Sequence, residues 1–443
     1  MPLKSLPNLT NFFKLNFINF LIVVFPISYI AGNLIINLNI FLISISTLII
    51  FKKEVFLIKY NIVDKLIFCA FGIIIMSGIT NTVQIYLNDQ NSIQNFKILT
   101  KTFLHLRYLL FYLVLRFLVE ANKFNFKIFF MSSLICSLFV SVDLIYQFIF
   151  GVDILGIKQN LNVNKFSGPF GDELIAGTYL QKFGFLAFFF IPLFLKVENK
   201  KLIYLYLIAL FLLILFSLII TGNRMPFILF IFIMLTVFIF EKKTRKYFLL
   251  LSIITSLVFL TTYKYNATTK NYFNHFYKTS IEIKDSTFNF MFRDLSNEEL
   301  KLFNEDPQLF IPNTYVKELY SGIATWKQNK IIGGGIDSFY INCKRSLNDC
   351  ASHPHNYYLE ILSETGLAGL IIFLLIFGKV FIDTFYLKYL KNIKFNNLII
   401  PFMFLFLAEI FPIKTSGSFF TTSNASFIFF ILAITVALSK RPN

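Results

Sequence analysis

Residues 350–369 read CASHPHNYYLEILSETGLAG and set two of the chain's four histidines around a proline, with an asparagine directly after. An imidazole titrates near pH 6.5, so His353 and His355 are candidates for taking a proton from a weak nucleophile or for contacting an anion. Pro354, between the two, fixes the backbone that presents His355. Asn356 is of a type that caps a helix start or orients a neighbouring ring. Glu360 and Glu364 follow four apart, so that one can face a site while the other serves local backbone. A second polar feature is TGNRMPF at 221–227, where a single arginine stands between two apolar runs. Its planar, permanently charged fork engages phosphate oxygens in pairs, which makes Arg224 a candidate anion clamp. The competing reading is an interfacial arginine lifting its charge out of lipid. In IIGGGIDSF, Gly333, Gly334 and Gly335 permit a tight turn or a close backbone approach to phosphate. The residues that follow lack the Lys and Ser/Thr of a nucleotide-binding loop.

These residues must be positioned by membrane helices. With 56% hydrophobic residues in 443, the chain is not a soluble globular domain. Crossing a hydrocarbon core takes about 20 apolar residues, and backbone in lipid must bond to itself. The expected fold is therefore an all-α polytopic membrane protein with about twelve transmembrane helices. They are predicted over 12–31, 34–51, 65–87, 98–119, 126–150, 174–196, 201–221, 225–240, 246–263, 357–383, 397–413 and 418–439.

Basic residues collect on alternate connections, for example Lys52, Lys53 and Lys59 after span two and Lys388 and Lys391 after span ten, which puts both termini inside. The long hydrophilic segment 264–356 then lies outside, between spans nine and ten. The organisation expected is spans one to nine over 1–263, a large, partly helical outer loop over 264–356 with helical patches at 296–307 and 315–329, and spans ten to twelve over 357–443. The net charge of +17 reflects this asymmetry and a lysine-rich bias, so nucleic acid is not an expected partner. Cys343 and Cys350 fall in the outer, oxidising compartment, where a disulfide is expected. A zinc site from Cys343, Cys350, His353 and His355 is the alternative, but its spacing departs from the usual pattern. A transporter or lipid flippase is the reading of a different class. It should show internal repeats and charges buried at mid-membrane, whereas the sequence shows no repeat and spans almost free of ionisable side chains.

IIGGGIDSF followed by CASHPHNYYLEILSETGLAGL after a long outer loop, with TGNRMPF two spans upstream, resembles the O-antigen ligase and polymerase superfamily. That family also has about twelve spans, in a GT-C-like architecture, and a large periplasmic loop at this place. The resemblance implies a bacterial inner-membrane enzyme with its site facing the periplasm. Such an enzyme moves a glycan from undecaprenyl diphosphate to a hydroxyl, either of lipid A-core (ligase) or of another lipid-linked repeat (polymerase), without metal or cofactor. It implies His355 as the base, Arg224 on the donor diphosphate and His353 as a substrate contact. Glu173, in GPFGDELIAGTYL, is similar to an acceptor-contacting position of the family, with Asp172 an equal choice on charge. The family often carries a second arginine shortly before the Trp-containing helix. YVKELYSGIATWKQ has none, which leaves Lys317 or Arg293 as substitutes.

Overall fold

The structure, a computed structural model, describes residues 9–88, 93–158, 165–195, 199–240, 245–265, 267–292, 308, 311, 313–345, 347–392, 396–415 and 417–440. The helices are α1 (Leu9–Ala31), α2 (Asn33–Phe51), α3 (Ile62–Asn88), α4 (Ile93–Glu120), α5 (Phe126–Phe150) and α6 (Ala176–Phe194). They continue as α7 (Lys200–Thr221), α8 (Arg224–Phe240), α9 (Arg245–Tyr265), α10 (Ala267–Phe292), α11 (Thr314–Gln328), α12 (Phe339–Lys344), α13 (Tyr357–Leu390), α14 (Ile399–Glu409) and α15 (Thr422–Lys440). Among the described residues, 8 helices are long and apolar enough to cross a membrane: α2 to α7, α13 and α15. Shorter apolar helices occupy α1, α8 and α14, and α9 covers the span predicted at 246–263. The chain is thus an all-α polytopic membrane protein. The helical patch predicted at 296–307 lies outside the described residues.

α15 is buried on all its faces from Asn424 to Leu438 and packs on α4 and α14, as expected of a helix that is apolar all round. Its phenylalanines tie the bundle together. Phe430 stacks on Phe25 of α1 at 4.6 Å, and Phe427 meets Phe183 of α6 edge-on at 5.5 Å.

α13 is interrupted at Gly366, whose φ of 69° no side chain adopts readily. The kink frees backbone groups within an apolar helix of membrane length, and the glycine turn at 330–335 takes them up. Gly334 N donates to Ser363 O at 3.0 Å and Gly335 N to Glu364 O at 2.8 Å, while Leu367 N and Ala368 N donate to the carbonyls of Lys330 and Ile331. A methyl group on Gly333 would lie 2.4 Å from backbone atoms of Glu364 and Gly366. Gly333→Ala, also forced to φ 80°, is therefore expected to cost at least roughly 2 kcal/mol. Gly378→Ala, with nothing within 4 Å of its added carbon, is the neutral control. Thermal unfolding in detergent checks this; equal melting temperatures for the two variants would contradict the stitched turn.

The expectation that the spans are almost free of ionisable groups is corrected. Arg116 of α4 is buried against Asp64 of α3 and Glu120, the latter at 2.7 Å, and Tyr112 donates to Asp64 at 2.7 Å. Lys182, Glu409 and Lys414 form a second buried cluster. Charges survive in such places only when paired, and two of the pairs, Arg116–Asp64 and Lys182–Glu409, join helices distant in sequence.

Candidate functional site

Two turns, far apart in sequence, close on one cavity of about 1230 Å³. The first joins α7 to α8. Gly222, at φ 67°, ends α7 in the left-handed region, and the Asn223 side chain donates to Leu174 O at 3.0 Å. The approach depends on Gly177 of α6, where a methyl group would come within 2.8 Å of Asn223 Cβ. Arg224, opening α8, thereby reaches the cavity wall. The second turn is 350–356. Asn313 caps α11 by accepting from Tyr315 N and Val316 N, and Gly322 lets that helix lie against Pro354, where a methyl group would come within 3.0 Å of Pro354 Cβ. One turn earlier on α11, Glu318 meets His355, with Oε1 3.5 Å from Nε2.

His355 has φ of 48°, uncommon for a residue with a side chain, and it is held there between the packed Pro354 and the capped start of α13. Asn356 makes that cap, accepting from Tyr358 N and Leu359 N at 3.0 and 3.1 Å, and it donates to Pro412 O at 2.8 Å. Of the two roles open to it in the sequence it therefore has the capping one, and it does not line the cavity.

The cavity is cationic. Lys165, Lys182 and Arg224 line it, with His275, His353 and His355; Glu318 is the single carboxylate among the described lining residues. A pocket with that balance draws in an anion such as phosphate. Burial, then the nearby Arg224, lowers the Lys165 amine below its ordinary value. Burial raises the Glu318 carboxyl above the usual carboxylate range, while His355 opposes the shift. The His353 ring lies tilted against that of His355, centroids 4.2 Å apart, and contacts Ser352 Oγ at 3.0 Å. Burial and then His355 bring its pKa down to about 4.

A stability consequence follows for acid solution. Between pH 6.5 and about 4 the unfolded chain takes up a proton at residue 353 that the folded loop refuses, so stability falls as pH drops through that window. His353→Asn is expected to flatten this acid limb in unfolding midpoints measured from pH 7 to 4. An unchanged slope would reject the assignment.

The remaining sequence candidates lie elsewhere. Glu173 and Asp172 are exposed on the turn before α6, beside the lining residues Leu174 and Ile175. Lys317 is half-buried next to Glu318 but does not line the cavity. Gly335 makes its close approach to helices rather than to an open site: a methyl group there would meet Ile98 at 2.9 Å and Gly78 at 3.1 Å. Glu360 accepts from Ser418 Oγ and from Phe419 N, and Glu364 from Asp337 N, so both carboxylates serve structure. Arg293 lies outside the described residues. Cys343 and Cys350 are joined to each other. Among the described residues no group of three or more His, Cys, Asp or Glu could hold a metal ion.

Sequence reading missed Glu318, Lys165, Lys182 and His275. A signal existed for Lys182, the single charged side chain in α6.

Residues 209–374 match the family described as O-antigen ligase. The matched segment runs from α7 into α13 and so contains Arg224, Glu318 and both histidines of the site. The match supports a likeness of that segment to the O-antigen ligase and polymerase superfamily, whose members are glycosyltransferase-like enzymes. A comparison with curated proteins gives no match.

Proposed function

We propose that this chain is an O-antigen ligase-like glycosyltransferase. It moves a glycan from undecaprenyl diphosphate to an acceptor hydroxyl of lipid A-core, at the periplasmic face of the bacterial inner membrane. The observation that carries the reading is the meeting of the His355–Glu318 pair with Arg224 in one cationic cavity.

The chemistry needs little acid catalysis, because diphosphate is already a good leaving group. The bond from the anomeric carbon to the diphosphate oxygen breaks, its electron pair leaves with the phosphate, and Arg224 with Lys165 meets the charge that develops. The acceptor oxygen forms the new bond to carbon as its proton passes to the His355 imidazole. One ring nitrogen faces Glu318, which leaves the other to accept, and the carboxylate then stabilises the imidazolium. The outer segment 264–356 carries this base, and the elements before it carry the cations Lys165, Lys182 and Arg224.

The test is the lipopolysaccharide of a strain lacking the chain. Loss of all attached O-chain supports the ligase. Single-repeat attachment turns the reading to a polymerase joining lipid-linked repeats, and an unaltered profile overturns both.

A further inference from the structure

One cation of the cavity has no role in that reaction. Lys182 lines the same space as Arg224 and His355 although only 2% of it is exposed. It sits in a π-helical stretch, Leu180–Gly184, within α6; such irregular turns cost regular bonding and are frequent at functional sites. Its amine donates to Asn424 Oδ1 at 3.0 Å, and that amide is itself oriented, because Asn424 Nδ2 donates to Ser418 O at 2.8 Å. The nearest carboxylate is shared. Glu409 Oε2 lies 3.9 Å from the Lys182 amine but 2.6 Å from that of Lys414. Two buried ammoniums and one carboxylate keep a positive charge beside the cavity, where little water screens it and an incoming anion is bound strongly.

Chain geometry gives this cation its place. α6 enters the membrane from its start at Ala176, and Gly177 touches Asn223, the neighbour of Arg224. Lys182 follows Gly177 by five residues, roughly 7 Å further along the helix and deeper into the bilayer. A polyprenyl diphosphate runs in the same order from membrane to water: lipid, first phosphate, second phosphate, sugar. Resting on the diphosphate reading of this cavity, we propose that Lys182 binds the lipid-proximal phosphate while Arg224 binds the sugar-proximal one. The buried lysine then supplies the second donor-binding cation, which the segment before the Trp-containing helix lacks.

Binding to the purified full chain in detergent tests this without any transfer step, with farnesyl diphosphate and farnesyl monophosphate as probes. Wild type is expected to prefer the diphosphate. Lys182→Met should weaken diphosphate binding about 10–100-fold, as for loss of one charged hydrogen bond, and shrink the preference over monophosphate. Lys182→Gln, which keeps a donor to Asn424 Oδ1 without the charge, should weaken it alike. Diphosphate binding within twofold of wild type in Lys182→Met, alongside a clear loss in Arg224→Ala, overturns the role of Lys182 and leaves the transfer reading standing. Wild-type chain that binds neither probe overturns that reading as well. Should Lys182→Met fail to insert, Lys182→Gln decides, since unchanged diphosphate binding there also refutes the proposal.

Discussion

His355→Ala is expected to remove glycan transfer while the lipid-linked donor still binds. A sugar hydroxyl is a poor nucleophile until its proton is taken in the transition state, and loss of a positioned base costs about 10²–10⁴-fold in rate. The donor's charge is met by other groups, so its affinity should change by less than about threefold. His353, whose ring lies 4.2 Å away, is the nearest imidazole that could take over, but burial keeps it a weak base. His353→Ala is accordingly milder than His355→Ala. Glu318→Gln falls between, because it leaves the ring in place without the carboxylate that meets it at 3.5 Å. The measurement is single-turnover transfer from lipid-linked donor, on variants inserted at wild-type levels. Near wild-type turnover in His355→Ala would strip the base from the mechanism and leave electrostatic positioning by the cations as the surviving account.

Arg224→Ala is expected to lower donor affinity and turnover together, by about 10²-fold in the combined rate constant, because on the proposed mechanism the charge it meets grows as the diphosphate leaves. Arg224→Lys restores only part of the loss. An ammonium carries the charge, but it does not reproduce the two parallel hydrogen bonds of the fork. Lys165, whose amine feels Arg224, keeps some residual binding in both variants. Saturation curves with donor varied at fixed acceptor separate the effects. An Arg224→Lys enzyme indistinguishable from wild type would rule out bidentate recognition, and an Arg224→Ala enzyme with unaltered donor affinity would move the donor elsewhere in the cavity.

The spans were legible because an apolar run of membrane length has no alternative fold, and the site was half legible for a similar reason. His353 and His355 stand out among four histidines, and Arg224 stands out as a charge between two apolar helices. Their partners carry no local mark. Glu318 belongs to an ordinary amphipathic helix, and only packing at Gly322 and Pro354 brings it to His355. Lys182 meets Asn424 across 242 residues of sequence, so a span that looks unpaired in the linear chain is paired in space. Glycine shows that something comes close without showing what: at Gly335 the neighbours are Ile98 and Gly78 of the bundle. Asn356 had two roles of equal plausibility until the amides of Tyr358 and Leu359 were found on its side chain.

The exchange of backbone hydrogen bonds between 330–335 and the break at Gly366 sets a rule for making chimeras. The hydrophilic segment is not a cassette to be lifted out at its border near residue 356, because its glycine turn completes the backbone of the helix that follows. A graft that changes acceptor preference should carry residues 308–368 as one piece, with its downstream junction placed after Ala368. A junction inside 336–365 would pair one parent's turn with the other's kink and leave peptide groups stranded at the membrane boundary.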